Sequence, residues 1–80
     1  MAEAQSLSDL PTGHHAVVES LPHGAPGLTR LRELGVLPGT RIQLVRRAPL
    51  GDPIEISVRG SLLSLRKEEA DQIAVHPQGQ

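Results

Sequence analysis

Neither a cysteine nor a phenylalanine, tyrosine or tryptophan occurs among the 80 residues, and the single methionine is Met1. Without thiols no disulfide and no Cys-based zinc site can staple the chain, which removes the disulfide-rich secreted class. Without rings there is no stacking platform for single-stranded nucleic acid and no aromatic groove for a PxxP peptide. An excess of one charge is missing too. Eight Lys and Arg against nine Asp and Glu leave a net charge of −1, which offers no global attraction to a polyanion. No apolar run approaches the ~20 residues needed to span a bilayer. The opening Met1-Ala2-Glu3-Ala4-Gln5 carries an acid and no basic stretch, so no secretory leader is expected and a cytoplasmic location is.

What remains is aliphatic: twelve Leu, six Val and four Ile in one small domain of modest expected stability. Gly and Pro punctuate the chain every ten residues or so, a spacing that suits several short strands. Residues 1–5 read as a disordered N-terminus, 6–76 as the folded domain and 77–80 as a loose tail. Ser6-Leu7-Ser8-Asp9 fits a capping pattern in which Ser6 satisfies an amide three residues on. His14 to Leu21 reads as a first strand. Leu28, Leu31 and Leu34 lie three apart and predict a short one-sided helix that plugs the core, with Gly35 as its left-handed terminator and Val36 closing onto Leu31. Leu37-Pro38-Gly39-Thr40 has the Pro and Gly of a type II turn.

The clearest strand is Pro53 to Arg59, with Ile54, Ile56 and Val58 facing one way and Glu55, Ser57 and Arg59 the other. Arg41 to Arg46 alternates before it, and Leu62 to Arg66 follows through a Gly60-Ser61 connection of the type II′ kind. One helical turn over Lys67 to Asp71 precedes a last strand, Ile73 to Val75. Five short antiparallel strands cannot bury both faces of an open sheet. Curling into a barrel removes the edges and gives the aliphatics one interior. The expected fold is therefore mainly β, a small SH3-like antiparallel barrel capped by one short helix. A small OB-like barrel is the runner-up.

Chemistry-bearing constellations are scarce. His14, His15, His23 and His76 have no ligand spacing, so no metal site or resident cofactor is expected beyond weak or adventitious Fe(II) or Zn(II) binding. Ser57, Ser61 and Ser64 have no His or acid at a diagnostic offset, and Glu68, Glu69 and Asp71 read as a solvated face. Gly24-Ala25-Pro26-Gly27 has the shape of an RNA-binding GxxG loop but lacks adjacent basic residues. The chain does not read as an enzyme. Seven of its eight basic residues are Arg, a side chain suited to bidentate contact with carboxylates. They read as ordinary surface charge with internal ion pairs, as a face for an acidic protein partner or, third, as a small nucleic-acid-binding face.

Three ordered segments together resemble one family. Arg30 to Thr40, Ala48 to Ile54, and Val58-Arg59-Gly60 with Leu65 to Ala70 are similar to the signature segments of FeoA, ferrous iron transport protein A, and Leu7 to Gly13 resembles the family's opening. The likeness covers about residues 6 to 76, and the length is that of a stand-alone member. The resemblance implies an SH3-like barrel in the bacterial cytoplasm. It also implies a non-enzymatic accessory role in ferrous iron uptake, peripheral to the inner membrane through the permease FeoB, whose cytoplasmic G-domain binds GTP. The alternative it carries is a metal-responsive module like the SH3-like domain of DtxR-type repressors.

The candidate partner surface comprises Arg30 and Arg32 on the helix, the loop Leu50, Gly51, Asp52 and Pro53, and Arg59 and Arg66 on adjacent strands. Leu50 reads either as an exposed tip or as a lid folded onto the barrel. Arg59 and Arg66 either meet a partner or pair with Glu55 or Glu68. A small core and edge strands also favour a homodimer. Neither a nucleic-acid partner nor direct membrane insertion is expected.

Overall fold

A computed structural model of the protein describes residues 3–79. Its elements in chain order are β1 (Gln5–Ser6), a 3₁₀ turn (Leu7–Asp9), β2 (His15–Ser20), α1 (Pro26–Glu33), β3 (Arg41–Arg47), β4 (Ile54–Val58), β5 (Ser61–Leu65), α2 (Lys67–Ala70) and β6 (Ala74–Gly79). The strands form one antiparallel, six-stranded sheet in the order β1-β6-β2-β3-β4-β5. Alternation does the sorting. Ala16, Val18, Ile42, Leu44, Ile54, Ile56, Val58, Leu65 and Val75 point inward and are buried. Register shifts within β2–β6 and β3–β4 bend the sheet around this row, as bulges do. Leu7, Leu10, Leu28, Leu31, Val36 and Ile73 fill the interior from the connections.

Both predicted loose ends carry sheet residues where they are described; the rest of that expectation, at residues 1, 2 and 80, lies outside the described residues. Gln5 pairs with Val75, and Pro77 to Gly79 continue β6 along β2. The polar Gln78 and the Gly and Pro around it hide this strand from a pattern search, and only the register against β2 orders it. Sheet closure is also incomplete. β1 and β5 have one neighbour each, because β1 is only two residues long and gives way to the 3₁₀ turn. A side chain at the end of β3 ties this turn to the sheet. The Arg47 guanidinium donates to the carbonyl oxygens of Ser8 at 2.5 Å and Leu10 at 2.8 Å.

The helix terminates as its residues dictate. Val36 N–H donates to Leu31 O at 2.9 Å and Gly35 N–H to Arg32 O at 3.0 Å, with Gly35 at φ +106°, a Schellman closure. Leu34, however, is no part of the plug. It is the C-cap residue and stands 47% exposed, while Leu28 and Leu31 are buried. Spacing of three slips around a 3.6-residue helix, so the third leucine leaves the inner face. The Leu37-to-Thr40 turn closes through Thr40 N–H to Leu37 O at 2.9 Å.

The β4–β5 hairpin turns one residue earlier than expected. Val58 pairs with Ser61, so the two loop residues are Arg59 and Gly60, at φ +51° and +84°. Two positive φ values make this a type I′ turn. This register sets Leu65 opposite Ile54, both buried, whereas a Gly60-Ser61 turn would set charged Lys67 there. Arg59 thus holds a left-handed conformation that disfavours a Cβ. Arg59→Asn should raise stability by about 0.5–1 kcal/mol, read as a higher urea midpoint at unchanged slope.

Ser6 and Ser8 join the turn to α2. Ser6 Oγ accepts from Ser8 N–H at 3.3 Å, two residues on rather than the expected three, and donates to Ala70 O at 3.1 Å. The Ser8 hydroxyl donates to Asp71 Oδ1. This bond, with help from Lys67 and against a smaller desolvation effect, lowers the Asp71 pKa below its usual 3.8. A carboxylate depressed on folding contributes stability that is present above the unfolded value and lost as pH falls through the folded one. Ser8→Ala should therefore flatten the fall in stability below about pH 4, measured by urea unfolding across that range.

Candidate protein-docking surface

The β3–β4 connection builds its own tip. Gly51 N–H donates to Ala48 O at 2.7 Å across Pro49 and Leu50, and Ala48 N–H donates to Pro53 O at 3.0 Å. Pro at the second position and Gly at the fourth suit this turn. Leu50 sits at the third and is 97% exposed, so it is a tip and not a lid. The base of the loop is tied to α2. Asp52 Oδ1 accepts from Lys67 N–H at 3.0 Å, and Asp52 Oδ2 lies 3.9 Å from Arg66 Nη1. That ion pair is solvent-exposed and contributes little by itself.

Beside the loop lie two open clefts. One of about 320 Å³ is lined by Arg46, Arg47, Ala48, Pro49, Pro53, Glu55 and Ser64. The other, about 440 Å³, is lined by Arg30, Pro53, Ser64, Leu65, Arg66 and Glu69. Pro53 and Ser64 border both, so loop, β5 and the exposed side of α1 make one continuous surface. Glu69 is held in place there. Its Oε1 accepts from Arg66 N–H at 2.8 Å, and its Oε2 occupies the space where a side chain at Gly27 would begin.

Of the eight residues proposed from sequence, Arg30, Pro53 and Arg66 line one cleft, with Asp52 bonded to its rim and Leu50 and Gly51 on the adjoining tip. Arg32 is not among them. Its guanidinium turns back to donate to Leu21 O and Pro22 O, the latter at 2.8 Å, and fastens α1 to the end of β2. Arg59 stands at the other end of β5, lining clefts with Arg41 and the 37–40 turn. Glu55 is taken by Arg46 and not by Arg59 or Arg66. Among the described residues Arg30, Arg41 and Arg59 form no ion pair or side-chain hydrogen bond.

Sequence reading missed the anchoring roles of Arg32 and Arg47, because main-chain carbonyls leave no trace in a residue pattern. It also missed the His76 Nε2 contact with Glu19 Oε1 at 2.7 Å, which pairs neighbouring strands 57 residues apart. Among the described residues no three His, Asp or Glu side chains gather in metal-ligating geometry. No helix there is long and apolar enough to cross a membrane.

A curled six-stranded sheet, a buried aliphatic interior and a surface of loop and guanidinium groups define a small SH3-like β-barrel module suited to contact with other macromolecules. The FeoA domain model matches residues 5–77, and the chain belongs to the FeoA family. It superposes on the FeoA protein from Chlorobium tepidum with a TM-score of 0.85 at 41% identity, covering 92% of this chain and 70% of that one. FeoA from Stenotrophomonas maltophilia, solved with zinc and described as an SH3 domain protein, gives 0.77 at 35% identity, covering 89% and 88%. A relative in Porphyromonas gingivalis, a Fe(2+) transport protein A/Fe(2+) transporter FeoB fusion protein, is 36% identical over 69 residues. That match takes in 86% of this chain but spans only 8% of the fusion protein.

Proposed function

We propose that the chain is a non-enzymatic accessory module of ferrous iron uptake that docks on the cytoplasmic G-domain portion of the FeoB permease. The observation that carries this reading is the fusion relative, in which a stretch similar to this chain and a FeoB transporter are one polypeptide. Covalent linkage puts two modules at high effective concentration, an arrangement that favours those that work in contact. The docking element is the Leu50 tip with the adjoining cleft of Arg30, Pro53 and Arg66. Burying one leucine contributes about 1.5–3 kcal/mol, enough to make it an anchor. The module is held at the membrane through that partner and carries no resident metal of its own.

Titration against the cytoplasmic portion of FeoB, with and without guanine nucleotide, tests the reading. The expected result is saturable binding that Leu50→Ser weakens about tenfold, while stability stays within ~0.5 kcal/mol. Absence of binding above background in both nucleotide states overturns it. A stoichiometric Fe(II) or Zn(II) adduct in a native mass spectrum overturns the statement about metal.

A further inference from the structure

The outer edge of β5 is unprotected. β5 pairs with β4 alone. A two-residue hairpin closes on a hydrogen-bonded pair, here Val58 with Ser61, and alternation makes Leu63 and Leu65 the next bonded positions. The main-chain groups of Leu62 and Ser64 therefore point away from the sheet. Among the described residues they take no other hydrogen-bond partner, and both residues are exposed, Leu62 by 63%. The run Ser61-Leu62-Leu63-Ser64-Leu65 carries no charge, proline or bulge of the kind that blunts an edge. The other edge, β1, is two residues long. Beyond Leu65 the edge ends, because Arg66 N–H goes to Glu69 Oε1 and Arg66 O accepts from the amides of Glu69 and Ala70.

Charge selects what covers this edge. At its far end Arg30, which forms no ion pair among the described residues, lines the same cleft as Ser64, Arg66 and Glu69, and the Glu69 carboxylate there is already taken by the Arg66 N–H. A second copy's β5, with Arg59 and Gly60 before it and Arg66 and Lys67 after it, brings no carboxylate to that end. We propose that β5 accepts an extended segment of another protein as a seventh strand, one with an apolar centre and a carboxylate towards the end that meets Arg30. Leu62 and Ser64 supply the ladder, the apolar centre covers Leu62 and half-buried Leu63, and Arg30 beside Arg66 receives the carboxylate. This rests on the edge itself and not on the partner's identity. Failure of the FeoB titration leaves it standing, and its own failure leaves that docking reading standing.

The probe is the peptide acetyl-Glu-Thr-Val-Val-Thr-Glu-amide, titrated into the full chain with amide hydrogen exchange as the readout. Exchange at Leu62 and Ser64 is expected to slow at least tenfold at saturation, and the same peptide with Lys in place of Glu to bind at least tenfold more weakly. Ser64→Pro, which removes an N–H that points away from β4, should abolish the protection. Arg30→Glu, at an exposed residue, should weaken binding several-fold even if the proline variant fails to fold. Absence of protection at both amides, equal binding of the two peptides, or protection that grows with protein concentration and no peptide would overturn the proposal.

Discussion

Leu28→Ala should lower the free energy of unfolding by about 3 kcal/mol, while Leu34→Ala, six residues on, should change it by no more than ~0.5. Leu28 is fully buried and, with Leu31, is what fastens the eight-residue α1 to the barrel. A helix this short has little stability apart from its packing. Truncation at Leu28 therefore removes both the transfer energy of the side chain and the main reason for the helix to form. In a small domain of marginal stability, a loss of that size is a large share of the total. Urea unfolding of both variants checks it, and equal effects would mean that α1 presents a different face to the core.

Arg47→Met should cost about 2–3 kcal/mol, and Arg46→Met no more than about 1. The two are neighbours in β3 with opposite duties. Arg46 reaches Glu55 across the outer surface, with its side chain 73% exposed. Arg47 reaches over the end of the sheet to two carbonyls of the 3₁₀ turn segment, at 2.5 and 2.8 Å. Removing it leaves both acceptors without that donor and unties the 3₁₀ segment from β3. Arg47→Lys should recover only part of the loss, since an ammonium lacks the planar fork that serves two acceptors together. Thermal unfolding of the three variants provides the comparison.

Both contrasts show where sequence reading stops. Leu28, Leu31 and Leu34 form one pattern in the chain, and Arg46 and Arg47 one basic pair. The helix of 3.6 residues per turn carries Leu34 off the inner face, and the bulge in β3 decides which of the two alternating arginines faces outward. The hairpin turn is a similar case. Ile54, Ile56 and Val58 specify the inner face in either register, and only the match of Leu65 to Ile54 moves the turn onto Arg59. The candidate surface divides the same way. Leu50 in a Pro- and Gly-bounded loop is legible as a tip, whereas the meeting of Arg30 with Pro53 and Arg66 depends on how α1 lies beside β5.

The residue order by itself determined the mainly β class, the aliphatic interior, the short helix with its glycine stop and the family motifs. These rest on period-2 alternation and on glycine and proline geometry, interactions between residues close in the chain. Tertiary structure alone decided which arginines anchor the backbone and which remain free, that the sheet curls without closing, and that β5 keeps an open edge. Those outcomes depend on contacts between segments dozens of residues apart, whose geometry exists only once the sheet has curled around its core.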